Sequence, residues 1–246
     1  MIFPRPFLIA LQFLTRLPIR LEQALDEREV GRSILYYPVI GLLMGLGLAV
    51  LAWMMADIPG LLPSAILLGF WVSVTGALHL NGLADSADAW IGGVGDRERT
   101  LAIMKDPCSG PTAIAALIVV LLIKFAALER VISHEDWMAL VLAPVLGRTA
   151  LPLLFLTTLY VRPGGLGAAL ARHLPRRAGA LVVLATLAGV ILAAGTRSLC
   201  LLLIATGTFL LLRALMVQRI GGTTGDTAGG LVELIETAML VTLALA

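Results

Sequence analysis

Thr112-Ala113-Ile114-Ala115-Ala116-Leu117-Ile118-Val119-Val120-Leu121-Leu122-Ile123-Lys124-Phe125-Ala126-Ala127-Leu128 carries a single charge. The apolar run continues over residues 112–132, and a helix crossing the hydrocarbon core of a bilayer needs roughly 20 such residues. The whole chain is composed alike. Of 246 residues, 59% are hydrophobic and 14% charged, and the mean hydropathy is +0.97. A soluble domain of this size carries about a quarter of its residues as charges, so the composition excludes one. The fold class that follows is all-α, a polytopic integral membrane helical bundle embedded in the lipid bilayer.

Seven apolar stretches are expected as transmembrane helices, at about 34–56, 61–80, 112–132, 137–160, 178–196, 198–218 and 229–246. The last is short and contains Glu233 and Glu236. Residues 2–18 mix Phe and Leu with Pro4, Arg5, Pro6, Arg16 and Pro18, which suits an N-terminal interfacial helix better than a span. The long polar connections are 81–111, 161–177 and 219–228. Together with the N-terminal region they hold thirteen Lys and Arg, whereas the opposite side has only Arg130 and Arg197. Positive charge stays inside, so the N-terminus and these loops are expected in the cytoplasm. No repeat or low-complexity linker divides the chain, which reads as one membrane-embedded domain over 1–246. No removable signal peptide is expected, and Cys108 and Cys200 form neither a metal pair nor a disulfide framework.

Chemistry is concentrated where the second stretch breaks off: His79-Leu80-Asn81-Gly82-Leu83-Ala84-Asp85-Ser86-Ala87-Asp88-Ala89-Trp90. Asn81, Asp85 and Asp88 are spaced i, i+4, i+7, one face of a helix. Carboxylates beside hydrocarbon are costly unless compensated, and a divalent cation is the usual compensation. Further on come Gly92-Gly93-Val94-Gly95 and Arg97, Arg99 and Lys105, which could hold phosphate oxygens. A second segment, Gly221-Gly222-Thr223-Thr224-Gly225-Asp226-Thr227-Ala228-Gly229-Gly230, feeds a helix N-terminus, a favourable anion site; Asp226 could add a metal oxygen. Glu233 and Glu236 follow on the same stripe and belong in a polar cavity or the bundle interior. The third segment runs from Tyr160 through Arg162 and Gly167 to Arg172, His173, Arg176 and Arg177, whose last arginines read as ordinary loop charges. Lys124 and Arg148 fall inside spans: Lys124 snorkels or pairs with a carboxylate, and Arg148 points inward toward an anion. Trp53, Trp71, Trp90 and Trp137 read as interface anchors, His79 as structural, and Cys108 as no nucleophile. Without a nucleotide-binding phosphate loop, the chemistry that fits is metal-assisted phosphoryl transfer.

Phe13-Leu14-Thr15-Arg16-Leu17-Pro18, the His79–Trp90 stretch, Asp96-Arg97-Glu98-Arg99, Ile103-Met104-Lys105-Asp106, Arg162 with Leu166-Gly167, and Gly225-Asp226-Thr227 together resemble the cobalamin synthase family. The resemblance covers nearly the whole chain in the same order. It implies a bacterial or archaeal inner-membrane transferase that joins adenosylcobinamide-GDP to α-ribazole, or its 5′-phosphate, releasing GMP and requiring Mg²⁺. On that basis Asp85, Asp88, Asp106, Asp226 and Asn81 are expected around magnesium, with Asp88 or Asp106 accepting the hydroxyl proton. Arg97, Lys105, Arg148 and Arg162 are expected to neutralise phosphate, with Gly225 and Glu236 also at the substrate. Two departures stand out: Asn81 where the family usually has Asp, and Pro107-Cys108-Ser109-Gly110 in place of Ser-Arg-aliphatic-Gly. No nucleic acid is implied; a homo-oligomer or a complex with other enzymes of the pathway is left open. A membrane CDP-alcohol phosphotransferase is the nearest rival, but its motif needs Arg where Asp85 follows Ala84. A secondary transporter is the other, and the inverted repeats and paired broken helices of that class are not visible.

Overall fold

A computed structural model describes residues 3–19, 21 and 26–246; Arg20, one of the thirteen basic residues, lies outside them. Among the described residues the chain is helical throughout, and its only extended pairing is an isolated bridge between Tyr160 and Thr223. The expected all-α class therefore holds.

Helix α1 (Arg5–Leu14) buries Ile9, Ala10 and Leu14 and packs against the short α2 (Glu27–Ser33), with Arg5 paired to Glu29 at 3.2 Å. Next comes α3 (Tyr37–Met54), which lies along α8 (Trp137–Thr157), the helix at the centre of the bundle. Two glycines permit that contact. A Cβ on Gly41 would come within 2.5 Å of the Pro144 carbonyl oxygen, and one on Gly45 within 2.6 Å of Val141 Cα. Small residues are how membrane helices bring backbones together without a hydrophobic drive.

The second expected span, 61–80, is not one straight helix. Helix α4 (Leu62–Thr75) stops at Gly76 and Ala77, both left-handed at φ +59° and +56°, and α5 (Leu78–Gly92) leaves at 87°. The acidic stretch, expected to open a polar connection, is therefore a helix. After the short α6 (Arg97–Ile103) come α7 (Pro111–Ser133), α9 (Gly165–His173), α10 (Arg176–Ala194), α11 (Ser198–Ile220) and α12 (Gly225–Leu245).

Among the described residues, five stretches are long and apolar enough to cross a membrane, or six if the bent α4–α5 pair is one span, against the seven expected. The difference lies at two places. One is the bend at Gly76. The other is the stretch 176–220, which is interrupted at Gly195 (φ +55°). Arg176 donates to the Leu156 carbonyl and Arg213 to that of Thr157, so both ends of this stretch meet the end of α8 and the chain doubles back between them. Leu181, Leu184 and Leu192 on α10, Leu203, Leu210 and Leu211 on α11, and Ile118 and Leu122 on α7 are exposed, as lipid-facing residues must be.

Among the described residues, four charges are buried together in the interior. Lys124 of α7 donates to Glu233 at 2.6 Å and Glu236 at 2.9 Å on α12, and Arg148 of α8 pairs with Glu236. Lys124 Nζ also sits 4.5 Å from the centre of the Trp71 ring. Trp71 is thus an interior residue of α4, not the interface anchor expected. Two cations and two anions leave the cluster neutral, the condition under which buried charge is tolerated.

Candidate active site

The site is assembled at one end of the bundle from α5, the start of α12 and the loop after α8. On α5, Asn81 Nδ2 donates to Asp85 Oδ2 at 2.8 Å, as the i, i+4 spacing allows. Asp88, one turn on, points elsewhere. It accepts the backbone N–H groups of Gly110 and Ala113, at 2.5 and 2.8 Å, and so caps the start of α7 from a neighbouring helix. A carboxylate there satisfies orphan donors and meets the positive end of the helix dipole. Gly110 is needed for the fit, since a Cβ would stand 2.9 Å from Asp88 Oδ1.

Helix α12 begins with a capping box: Thr224 Oγ1 accepts from Thr227 N, and Thr227 Oγ1 accepts from Thr224 N. That cap holds Asp226 in the first turn. Three glycines then bring α12 onto α5. A Cβ on Gly82 would lie 2.5 Å from the Asp226 carbonyl oxygen, one on Gly229 3.4 Å from Gly82 Cα, and one on Gly230 3.4 Å from Leu83 Cα. The outcome is that Asp85 stands within electrostatic reach of both Asp226 and Asp88.

Arg162 offsets part of this charge, its Nη2 lying 2.9 Å from Asp226 Oδ2. The loop that carries it is pinned to the α12 turn, with Val161 N donating to Thr223 O at 2.9 Å and Thr223 N to Leu159 O at 2.8 Å. The Tyr160 ring covers Gly167, where any side chain would collide with it. Burial raises the Tyr160 phenol above its ordinary pKa, with Arg162 opposing, so it remains a neutral hydroxyl at physiological pH.

Asn81, Asp85, Asp226, Gly225 and Arg162 thus come together, with Asp88 beside them but turned to the start of α7. Other expected members do not. Asp106 and Lys105 are exposed, and Asp106 accepts from Cys108 N in its own turn. Arg97 donates from Nε to the Ile220 carbonyl at 2.8 Å, beside Arg219, which donates to the Trp90 carbonyl. Arg148 and Glu236, expected at the phosphates, are both fully buried and paired with each other; the anion Arg148 meets is in its own chain. Gly82, Gly229, Gly230 and Tyr160 lie within the three quoted segments, but their packing roles are not read from the sequence. The matching small residues on two helices were the available signal for the glycines; nothing local gives the Tyr160 ring its place over Gly167.

Oxygen-only donors suit a hard cation. Among the described residues no three His, Cys, Asp or Glu side chains form a ready-made metal cage. Magnesium does not require one, because it keeps waters and takes substrate phosphates beside one or two carboxylates. Asp85 and Asp226 would provide that pair; the buried Asp226 Oδ2 atom is met by Arg162 Nη2, 2.9 Å away.

A family model described as cobalamin-5-phosphate synthase matches residues 6–244. The chain belongs to that family. Adenosylcobinamide-GDP ribazoletransferases of Pseudomonas entomophila and Stutzerimonas stutzeri are each 57% identical to it over 240 residues, covering 98% of both chains. The enzyme of that name from Pseudomonas aeruginosa is 54% identical over 241 residues, again covering 98% of each. Membership makes this protein a transferase. No solved structure matches it.

Proposed function

We propose that the chain is a magnesium-dependent transferase of the bacterial inner membrane. It joins adenosylcobinamide-GDP to α-ribazole or its 5′-phosphate and releases GMP. The observation that carries this reading is the facing of Asp85 and Asp226 across α5 and α12, with Arg162 on Asp226, at the polar end of an apolar bundle. The acceptor's 3′-hydroxyl oxygen forms a bond to the phosphorus attached to cobinamide. The bond from that phosphorus to the bridging oxygen breaks, and GMP leaves with the bridging oxygen in line with the attack. Asp85 and Asp226 would hold the cation, with Asn81 fixing the Asp85 carboxylate. Bound there, magnesium supplies neutralisation of the pyrophosphate. Arg162 holds a phosphate oxygen as charge develops. Of the two carboxylates expected to take the hydroxyl proton, Asp88 is engaged in capping α7 and Asp106 stands exposed in its own turn. The thirteen-to-two excess of Lys and Arg supports a cytoplasmic position for this end.

The test is release of GMP from adenosylcobinamide-GDP by the purified protein, given α-ribazole and magnesium. Wild-type release that falls by about two orders of magnitude or more in Asp85→Asn and Asp226→Asn is the expected result, since charge stabilisation by a metal is worth several kcal/mol. Undiminished release from both variants at limiting magnesium overturns the assignment.

A further inference from the structure

Beside Asn81 and Asp226 a cavity of about 260 Å³ runs into the bundle between α1, α3, α5, α8 and α9. Its mouth is formed by Asn81, Gly225 and Asp226, and its walls include Phe13, Phe155 and Leu170. Two lining residues carry polar atoms that find no partner. His79 Nδ1 makes no hydrogen bond, and neither does the Tyr37 hydroxyl at ordinary geometry, although Ser33 is nearby. Both residues are almost wholly buried, at 3% and 1% exposure. An unpartnered polar group in an apolar wall costs roughly 1–3 kcal/mol, a cost that a ligand meeting it would offset.

We propose, resting on the function above, that this cavity is the subsite for the acceptor nucleoside. Ribazole carries a flat dimethylbenzimidazole base, apolar except for one ring nitrogen whose lone pair is free. Such a base between Phe13 and Phe155 buries its methyl groups and rings, and His79 and Tyr37 are lining residues with a donor to offer its single acceptor nitrogen. The ribose then lies at the mouth, with its 3′-hydroxyl beside Asp226 and Asn81. Drug-sized pockets run from roughly 300 to 1,000 Å³, so this smaller volume fits one bicyclic base and excludes the corrin, which stays outside with the donor.

A second cavity, sharing Phe13, Leu78 and Leu166 with the first, ends at Arg16. The Arg16 side chain lies across Gly76 at the α4–α5 bend, where a Cβ would overlap it. An exposed guanidinium at the rim, without a carboxylate partner among the described residues, fits the phosphate of a 5′-phosphorylated acceptor. Arg16 is thus the residue that distinguishes the phosphorylated from the unphosphorylated nucleoside.

Two variants test the pocket and its rim. Leu170→Trp fills the cavity and is expected to raise KM at least tenfold for both acceptor forms, with KM for adenosylcobinamide-GDP within twofold of wild type. Arg16→Gln is expected to raise KM about tenfold for α-ribazole 5′-phosphate alone. An unchanged acceptor KM in Leu170→Trp, or an equal effect of Arg16→Gln on both forms, overturns the proposal. If Leu170→Trp does not fold, the smaller Leu170→Phe and competition by free 5,6-dimethylbenzimidazole against the wild type give the same readout. Equilibrium dialysis of α-ribazole, without donor, separates the two claims. Binding that Leu170→Trp abolishes, in a protein releasing no GMP, upholds the pocket and sinks the reaction. GMP release with no effect of either pocket variant does the reverse.

Discussion

At the scale of single residues, equal charges have unequal roles, set by their partners. Asn81 gives Asp85 a hydrogen bond that the aspartate usual in the family could not donate. Asn81→Leu removes it and is expected to lower turnover about 10- to 100-fold, the usual cost of losing a group that orients a metal ligand. Asn81→Asp adds negative charge beside the proposed cation and is expected to keep activity while lowering the magnesium concentration at half-maximal rate. Magnesium titrations of both variants check this, and an unmoved midpoint in Asn81→Asp counts against a metal at Asp85. Lys124 is a different case. Lys124→Met strands Glu233, and breaking a buried pair by removing one partner costs about 3–5 kcal/mol. The expected result is a clear fall in melting temperature in detergent. The double variant Lys124→Met with Glu233→Leu should recover most of it, because replacing both partners by apolar groups is often near neutral.

At the scale of elements, the site depends on two helices meeting backbone to backbone. Gly82→Val would drive a side chain into the Asp226 carbonyl, and neither backbone can yield without separating α5 from α12. Transferase activity is expected to fall about a hundredfold or more, because a displacement near 1 Å in a catalytic constellation costs on that order. Gly47 is the control. It lies on the exposed side of α3, and a Cβ there would meet nothing within 4 Å, so Gly47→Ala is expected to leave activity unchanged and add about 0.5–1 kcal/mol of helix stability. Comparing GMP release and thermal unfolding for the pair distinguishes a packing requirement from a general intolerance of substitution. The bend at Gly76 and Ala77 belongs to this scale as well. It turns the acidic stretch out of line with α4, so that its polar face meets α12.

At the scale of the whole molecule, three segments far apart in sequence are gathered at one end: Asp88 on the start of α7, Arg162 on Asp226, and Arg97 on the end of α11. Arg197 and Asp136, paired at 2.6 Å, lie at the turns before α11 and α8, away from these groups. In a background lacking Cys108 and Cys200, Thr196→Cys should react with an impermeant thiol reagent in intact cells, and Ser109→Cys only after the membrane is opened. Both positions are exposed. Labelling of Ser109→Cys from outside would place the site on the wrong face of the membrane for its cytoplasmic assignment.

The sequence by itself determined that the chain is an apolar helical bundle, because hydropathy over some 20 residues is a local property and lipid leaves the backbone few alternatives. It also determined the acidic face of α5, through helical spacing, and the family resemblance, through the order of its motifs. Only the tertiary structure decided which charges are available. Arg148 and Arg162 are both expected at phosphate, yet one is neutralised by Glu236 in the interior and the other reaches Asp226 at the polar end. Asp85 and Asp88 share a helical face, yet Asp88 is taken up by the start of α7. Pairing of this kind depends on which helices touch, and that is set by glycine contacts and a left-handed bend between distant segments, which no local pattern of residues encodes.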